Sequence, residues 1–77
     1  MSIEFKPIEL FHEQDTVGRL VLIDGKLGAV LAQLSDAHGA SAGRWFIECA
    51  FGALPRSDTE FESLEAVKAW LESRLRD

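Results

Sequence analysis

The stretch VGRLVLIDGKLGAVLAQL, residues 17–34, decides the fold. At its centre Asp24-Gly25 separates two apolar runs, and such a pair suits a tight hairpin turn because both of its central positions want positive φ. Val17 to Ile23 is rich in β-branched residues and leucine and reads as a strand. The second run, Lys26 to Leu34, admits two readings. As the return strand of a hairpin it sets Leu22 opposite Leu27, Leu20 opposite Ala29 and Gly18 opposite Leu31. As a helix it aligns Leu27, Val30, Leu31 and Leu34 on one side, with Ala29, Ala32 and Gln33 as good helix formers. The turn and Gly28 both favour the strand.

Downstream, Ser35 to Gly43 is small and polar, with Gly39 and Gly43 as breakers, and is longer than an ordinary hairpin loop. Arg44 to Leu54 alternates cleanly. Trp45, Ile47, Cys49 and Phe51 fall on one face, Phe46, Glu48 and Ala50 on the other, and Gly52 with Pro55 marks its end. Ser63 to Leu75 has helical period instead. Leu64, Val67, Trp70, Leu71 and Leu75 form one stripe, opposed by Glu65, Lys68 and Glu72. Arg74 follows Trp70 by four residues, so its stem should cross the indole. Ser63 is the expected N-cap, with Thr59-x-x-Glu62 as a rival capping box. Asp58, Glu60, Glu62 and Glu65 open this region while Arg74 and Arg76 close it, the polarity a helix dipole favours. A helix of roughly a dozen residues is marginal alone in water, so this one must lie on the sheet.

Upstream, Met1 to Phe11 carries Ile3, Phe5, Ile8, Leu10 and Phe11 around Pro7. Pro7 rules out a central strand and leaves an extended arm or a short edge strand. His12 to Thr16 is a polar connection. The expected fold is therefore α+β in two layers. A small antiparallel sheet of three strands, or four if the arm joins, packs against one C-terminal helix. One domain spans residues 1–77, with the arm and connection over 1–16, the strands over 17–54 and the helix over 63–75.

Composition bounds the function. Of 77 residues, 47% are hydrophobic, which supports a core and weighs against disorder. Thirteen acids against eight bases give a net charge of −5, which on average repels nucleic-acid backbones and anionic membranes. The chain contains no run of 18 apolar residues and no secretory leader pattern, so a soluble, cytoplasmic protein is expected. The single cysteine, Cys49, excludes an intrachain disulfide and reads as a buried, inert thiol.

No chemistry emerges from the residue pattern. His12, His38 and Cys49 share no metal-ligand spacing, and the acids before the helix lack the glycine and ligand order of a calcium loop. Gly39 to Gly43 with Arg44 precedes a strand, whereas phosphate loops open a helix. No nucleophile–base–acid order can be assembled. The expectation is a protein that is not an enzyme and takes no cofactor or metal.

The sheet is more informative. In the hairpin register above, Leu20, Leu22, Leu27, Ala29 and Leu31 join Trp45 and Ile47 beneath the helix. Val17, Val21, Ile23, Val30, Ala32 and Phe46 are then left on the far side, diluted by Arg19, Lys26 and Glu48. One helix cannot cover both faces, and a contiguous apolar patch is unusual on a soluble monomer. Either the N-terminal arm folds across it or a second copy, or another protein, covers it. The expected partner-binding residues are Val21, Ile23, Val30 and Phe46, with Trp45 as a candidate anchor, in a protein–protein interaction or self-association module forming a homodimer.

The order of strands and helix resembles HicB-type antitoxins and MbtH-like proteins in topology alone. The antitoxins' Pro-x-x-Pro-Gly-like strand motif is replaced here by Glu48-Cys49-Ala50-Phe51-Gly52, and the MbtH-like Asn-x-x-x-Tyr-Ser-Leu-Trp-Pro pattern is missing. What the resemblance implies is an alternative function, an antitoxin-like or regulatory nucleic-acid binder. Arg19, Lys26 and Arg44 would be its few cations. A small-molecule carrier with its ligand between helix and sheet is weaker still, because so small a core has little volume to spare.

Overall fold

In the computed structural model, which describes residues 1–52, 54 and 60–75, four antiparallel strands form one sheet in sequence order. They are β1 (Ile3–Glu9), β2 (Val17–Ile23), β3 (Lys26–Gln33) and β4 (Trp45–Ala50), followed by one helix, α1 (Leu64–Leu75). The architecture is the expected α+β one, with the fourth strand supplied by the arm. No helix among the described residues is long and apolar enough to cross a membrane.

Asp24 and Gly25 both have positive φ, 52° and 82°, as a type I′ turn demands. That turn makes Lys26–Gln33 a strand and excludes its helical alternative. Leu22 pairs with Leu27 as expected, but the remaining register is one residue off. Gly28 is an extra residue, so Val21 pairs with Ala29, Leu20 with Val30 and Gly18 with Ala32. A one-residue slip exchanges the faces of everything beyond it. Val21 and Ile23 therefore turn toward the helix, while Leu20 and Leu22 turn away. A second irregularity lies between β3 and β4, where Val30 pairs with Cys49 but Leu31 with Ile47. Cys49 thereby leaves the face of Trp45 and Ile47, contrary to strict alternation. β4 also ends earlier than the alternation implied, at Ala50, and Phe51 beyond it is exposed.

The covered face carries the core. Val21, Ala29, Leu31, Trp45 and Ile47 of the sheet pack with Phe61, Val67 and Leu71. Val67 and Leu71 are the buried members of the expected helical stripe, with Leu64, Trp70 and Leu75 half-buried beside them. Burial of an aliphatic side chain of this size contributes about 1.5–3 kcal/mol, far more than helix propensity. The helix starts where expected, since the Ser63 hydroxyl accepts the Ala66 N–H at 3.1 Å. Arg74 lies over Trp70, 5.5 Å from the ring centroid. The rival cap at Thr59, the acid Asp58, the strand stop at Pro55 and the closing charge of Arg76 lie outside the described residues.

Phe61 ties the two layers together. Its backbone forms an antiparallel bridge to Trp45, with both hydrogen bonds made at 2.8 and 2.7 Å. Its ring meets Trp70 at 5.5 Å in a tilted arrangement. This bridge pairs the outer side of β4 at its start.

β1 is the opposite edge. The Ser2 carbonyl accepts the Asp24 N–H, and the Leu10 N–H donates to Thr16. Even-numbered positions of β1 thus bond inward to β2, and odd-numbered ones face outward. Pro7 is odd-numbered, so its missing N–H falls where no internal hydrogen bond is lost. That is the placement in which a strand tolerates proline.

Candidate interaction surface

The face turned away from the helix is built in three rows by the observed pairing. Glu4, Leu22 and Leu27 form the first, and Lys6, Leu20, Val30 and Cys49 the second. Ile8, Gly18, Ala32 and Phe46 form the third. Leu20, Leu22, Val30 and Phe46 are half-buried in this surface and stand outside the core cluster. The charges sit only at its lateral margins. Glu4 and Lys6 lie on β1, and Glu48, the extra residue of β4 on the far side from Ile47, lies at the other margin. The middle two strands contribute no charge to it.

One end of this face is covered from within the chain. Leu10 lies on Gly18 so closely that a Cβ there would fall 2.8 Å from Leu10 Cγ, and Ala32 beside Gly18 is fully buried. The arm therefore extends the sheet and covers only its corner. Next to that corner Phe11 is fully exposed, and Ile8 is exposed as well.

The residues expected at a partner interface divide. Val30 and Phe46 lie on the open face. Val21, 0% exposed, and Trp45, 5% exposed, are core residues under the helix, and Ile23 packs against the same cluster. Val21 and Ile23 change sides because the register shifts at Gly28, whereas Trp45 lies on the covered face as its alternation with Ile47 implied and is no anchor for a partner. Leu20 and Leu22 take their place, and only the paired backbone reveals that exchange. Cys49, expected to be buried, is half-buried on the open face instead.

A polar cluster fixes the loops at the covered corner. Asp15, in the β1–β2 connection, is 4% exposed. Its Oδ1 accepts the Ser35 N–H at 2.9 Å, and His38 Nε2 lies 3.0 Å from Oδ1 and 2.9 Å from Oδ2. His38 belongs to a short 3₁₀ segment, Asp36–Ser41, capped by the Ser35 side chain. His12 Nδ1 accepts the N–H groups of Gln14 and Asp15 at 3.1 and 3.0 Å, which leaves the proton of a neutral ring on Nε2. Burial pushes the Asp15 carboxyl up, but the Ser35 N–H and the His38 hydrogen bond outweigh it and hold the carboxyl below its ordinary value. His38 thus serves the buried carboxylate directly, and His12 holds the backbone that presents it. The 23-position separation of His38 from Asp15 concealed this, as did the polar, featureless look of residues 12–16.

Among the described residues no three His, Cys, Asp or Glu side chains gather as a metal site. The expected cations Arg19 and Lys26 are not gathered into a patch, since they lie at opposite ends of the β2–β3 hairpin. Arg19 stacks over Trp45 on the helix side, 5.1 Å from the ring centroid, whereas Lys26 sits at the far end of the β2–β3 hairpin. Comparison with family models, with curated proteins and with solved structures returns no match.

Proposed function

We propose that this chain is a non-enzymatic self-association module whose working surface is the open face of the sheet, centred on Leu20, Leu22, Val30 and Phe46. The observation that carries this reading is the distribution of side chains on that face. It has an apolar centre contributed by β2 and β3, with charge confined to the margins, and no described element packs on it as α1 packs on the other. Interfaces are arranged this way, with an apolar middle inside a polar rim.

The size of the face sets the strength. Four strands about 4.8 Å apart and three rows about 7 Å apart make a patch on the order of 300–400 Å². Two such patches bury roughly 700 Å² together, well below the span of tight complexes, so the association is weak and reversible. The edge of β1 is a poorer route, because Pro7 removes a donor in the middle of its outward side.

The test is sedimentation equilibrium across a wide concentration range on the native chain and on Leu20→Glu. The expected result is a mass that rises toward two chains with concentration in the native protein and stays at one chain in the variant. The variant should keep the native circular dichroism. A native chain that remains monomeric at the highest attainable concentration overturns the reading.

A further inference from the structure

We infer that the second copy docks face to face, with the two-fold axis running along the strands, so that Lys6 of each chain lies over Glu48 of the other. This rests on the self-association reading and adds its geometry. The face is asymmetric across its width. Lys6 sits on β1 at one margin, and it shares the middle row with Cys49 on β4 at the other, directly beside Glu48.

A two-fold axis along the strands, lying in the interface, exchanges the margins but preserves the rows. β1 of one copy then covers β4 of the other. In the middle row Lys6 meets Glu48 of the second copy twice per dimer, and Leu20 meets Val30. In the third row Ile8 meets Phe46, while Gly18 and Ala32 between them are already covered by Leu10 and make no contact with the second copy.

The competing two-fold axis lies across the strands. Passing through the middle row, where overlap of the two faces is greatest, it puts Lys6 on Lys6 and Glu48 on Glu48. Like charges set against each other suppress that docking. Sheets packed face to face keep their strands roughly aligned, and either axis satisfies this condition, so the marginal charges make the choice.

Lys6 and Glu48 of one chain are separated by three inter-strand steps, roughly 14 Å. A zero-length carbodiimide link between them can therefore form only between chains. Treatment of the native protein at a concentration where it dimerises should yield a covalent dimer containing a Lys6–Glu48 linked peptide. The link should join differently isotope-labelled chains when these are mixed.

Charge reversal gives the second readout. Lys6→Glu and Glu48→Lys should each weaken dimerisation about tenfold, because each places like charges at both contacts. The doubly reversed chain should return to within about threefold of the native constant. A dimer that is lost in Leu20→Glu, is unaffected by either reversal and lacks the Lys6–Glu48 link overturns this docking and leaves self-association standing. A native chain with no dimer removes both.

Discussion

The imidazole of His38 chelates the carboxylate of Asp15 across 23 residues of sequence, with Nε2 within 3.0 Å of both oxygens. The contact joins the β1–β2 connection to the 3₁₀ segment before β4, and the Ser35 N–H completes it. A nearly buried carboxylate is stable there only because these donors replace the water it has lost.

Removing that charge should show in the acid limb of stability. A carboxyl whose pKa is lower in the folded than in the unfolded state stabilises the fold above the unfolded value, about 4, and the stabilisation is lost as pH falls through the folded value. Urea unfolding of the native chain should therefore weaken on acidification below about pH 4. In Asp15→Asn this component of the pH dependence should be absent, and stability at neutral pH should be lower by about 1–3 kcal/mol. An acid limb identical in the two proteins would contradict the assigned role.

The corner beneath Leu10 has no room for another methyl group. Gly18→Ala places a Cβ 2.8 Å from Leu10 Cγ, and overpacking of this kind costs about 1–3 kcal/mol. Leu10→Ala in the same chain should recover much of the Gly18→Ala loss, a coupling that a double-mutant cycle by denaturant melts measures directly.

Val21 and Leu20 are neighbours in sequence on opposite faces, so truncating them should have different consequences. Val21→Ala opens space beneath α1 and should cost about 1–3 kcal/mol of monomer stability. Leu20→Ala should cost less in a dilute melt but should diminish the rise of Tm with protein concentration. Equal monomer destabilisation by both would contradict the register at Gly28.

The helix cap is local and separable. Ser63→Ala removes the acceptor of the Ala66 N–H and should cost about 1 kcal/mol. Ser63→Asp should retain that stability, as seen in thermal unfolding followed by circular dichroism.

Much of this fold is legible in the chain because local signals agree. Asp24-Gly25 dictates the hairpin. The stripe from Leu64 to Leu75, its Ser63 cap and the Arg74–Trp70 stack all follow from helical period, and Pro7 confines its strand to an edge. Which face each β2 and β3 residue occupies is less legible. Simple alternation from the turn assigns Val21 and Ile23 outward, whereas one unpaired residue, Gly28, sends them inward. A bulge is a property of two paired strands and leaves only a faint trace in one of them, here a glycine inside an apolar run. The same blindness applies to Cys49, turned over by the irregularity at Glu48. Asp15 is hidden for another reason, since His38 and Ser35 reach its carboxylate only once the strands have brought the loops together.

Pro7 also interrupts the one open backbone edge of β1. A strand arriving along the outer side of β1 would find hydrogen-bond donors at residues 3, 5 and 9 and a gap at residue 7, so lateral growth into ribbons is interrupted at its first step. Stacking of open faces has a natural end, because each chain has one such face and a pair consumes both. If the open faces stack as proposed, the exposed β-surface of this chain favours a closed pair over a fibre.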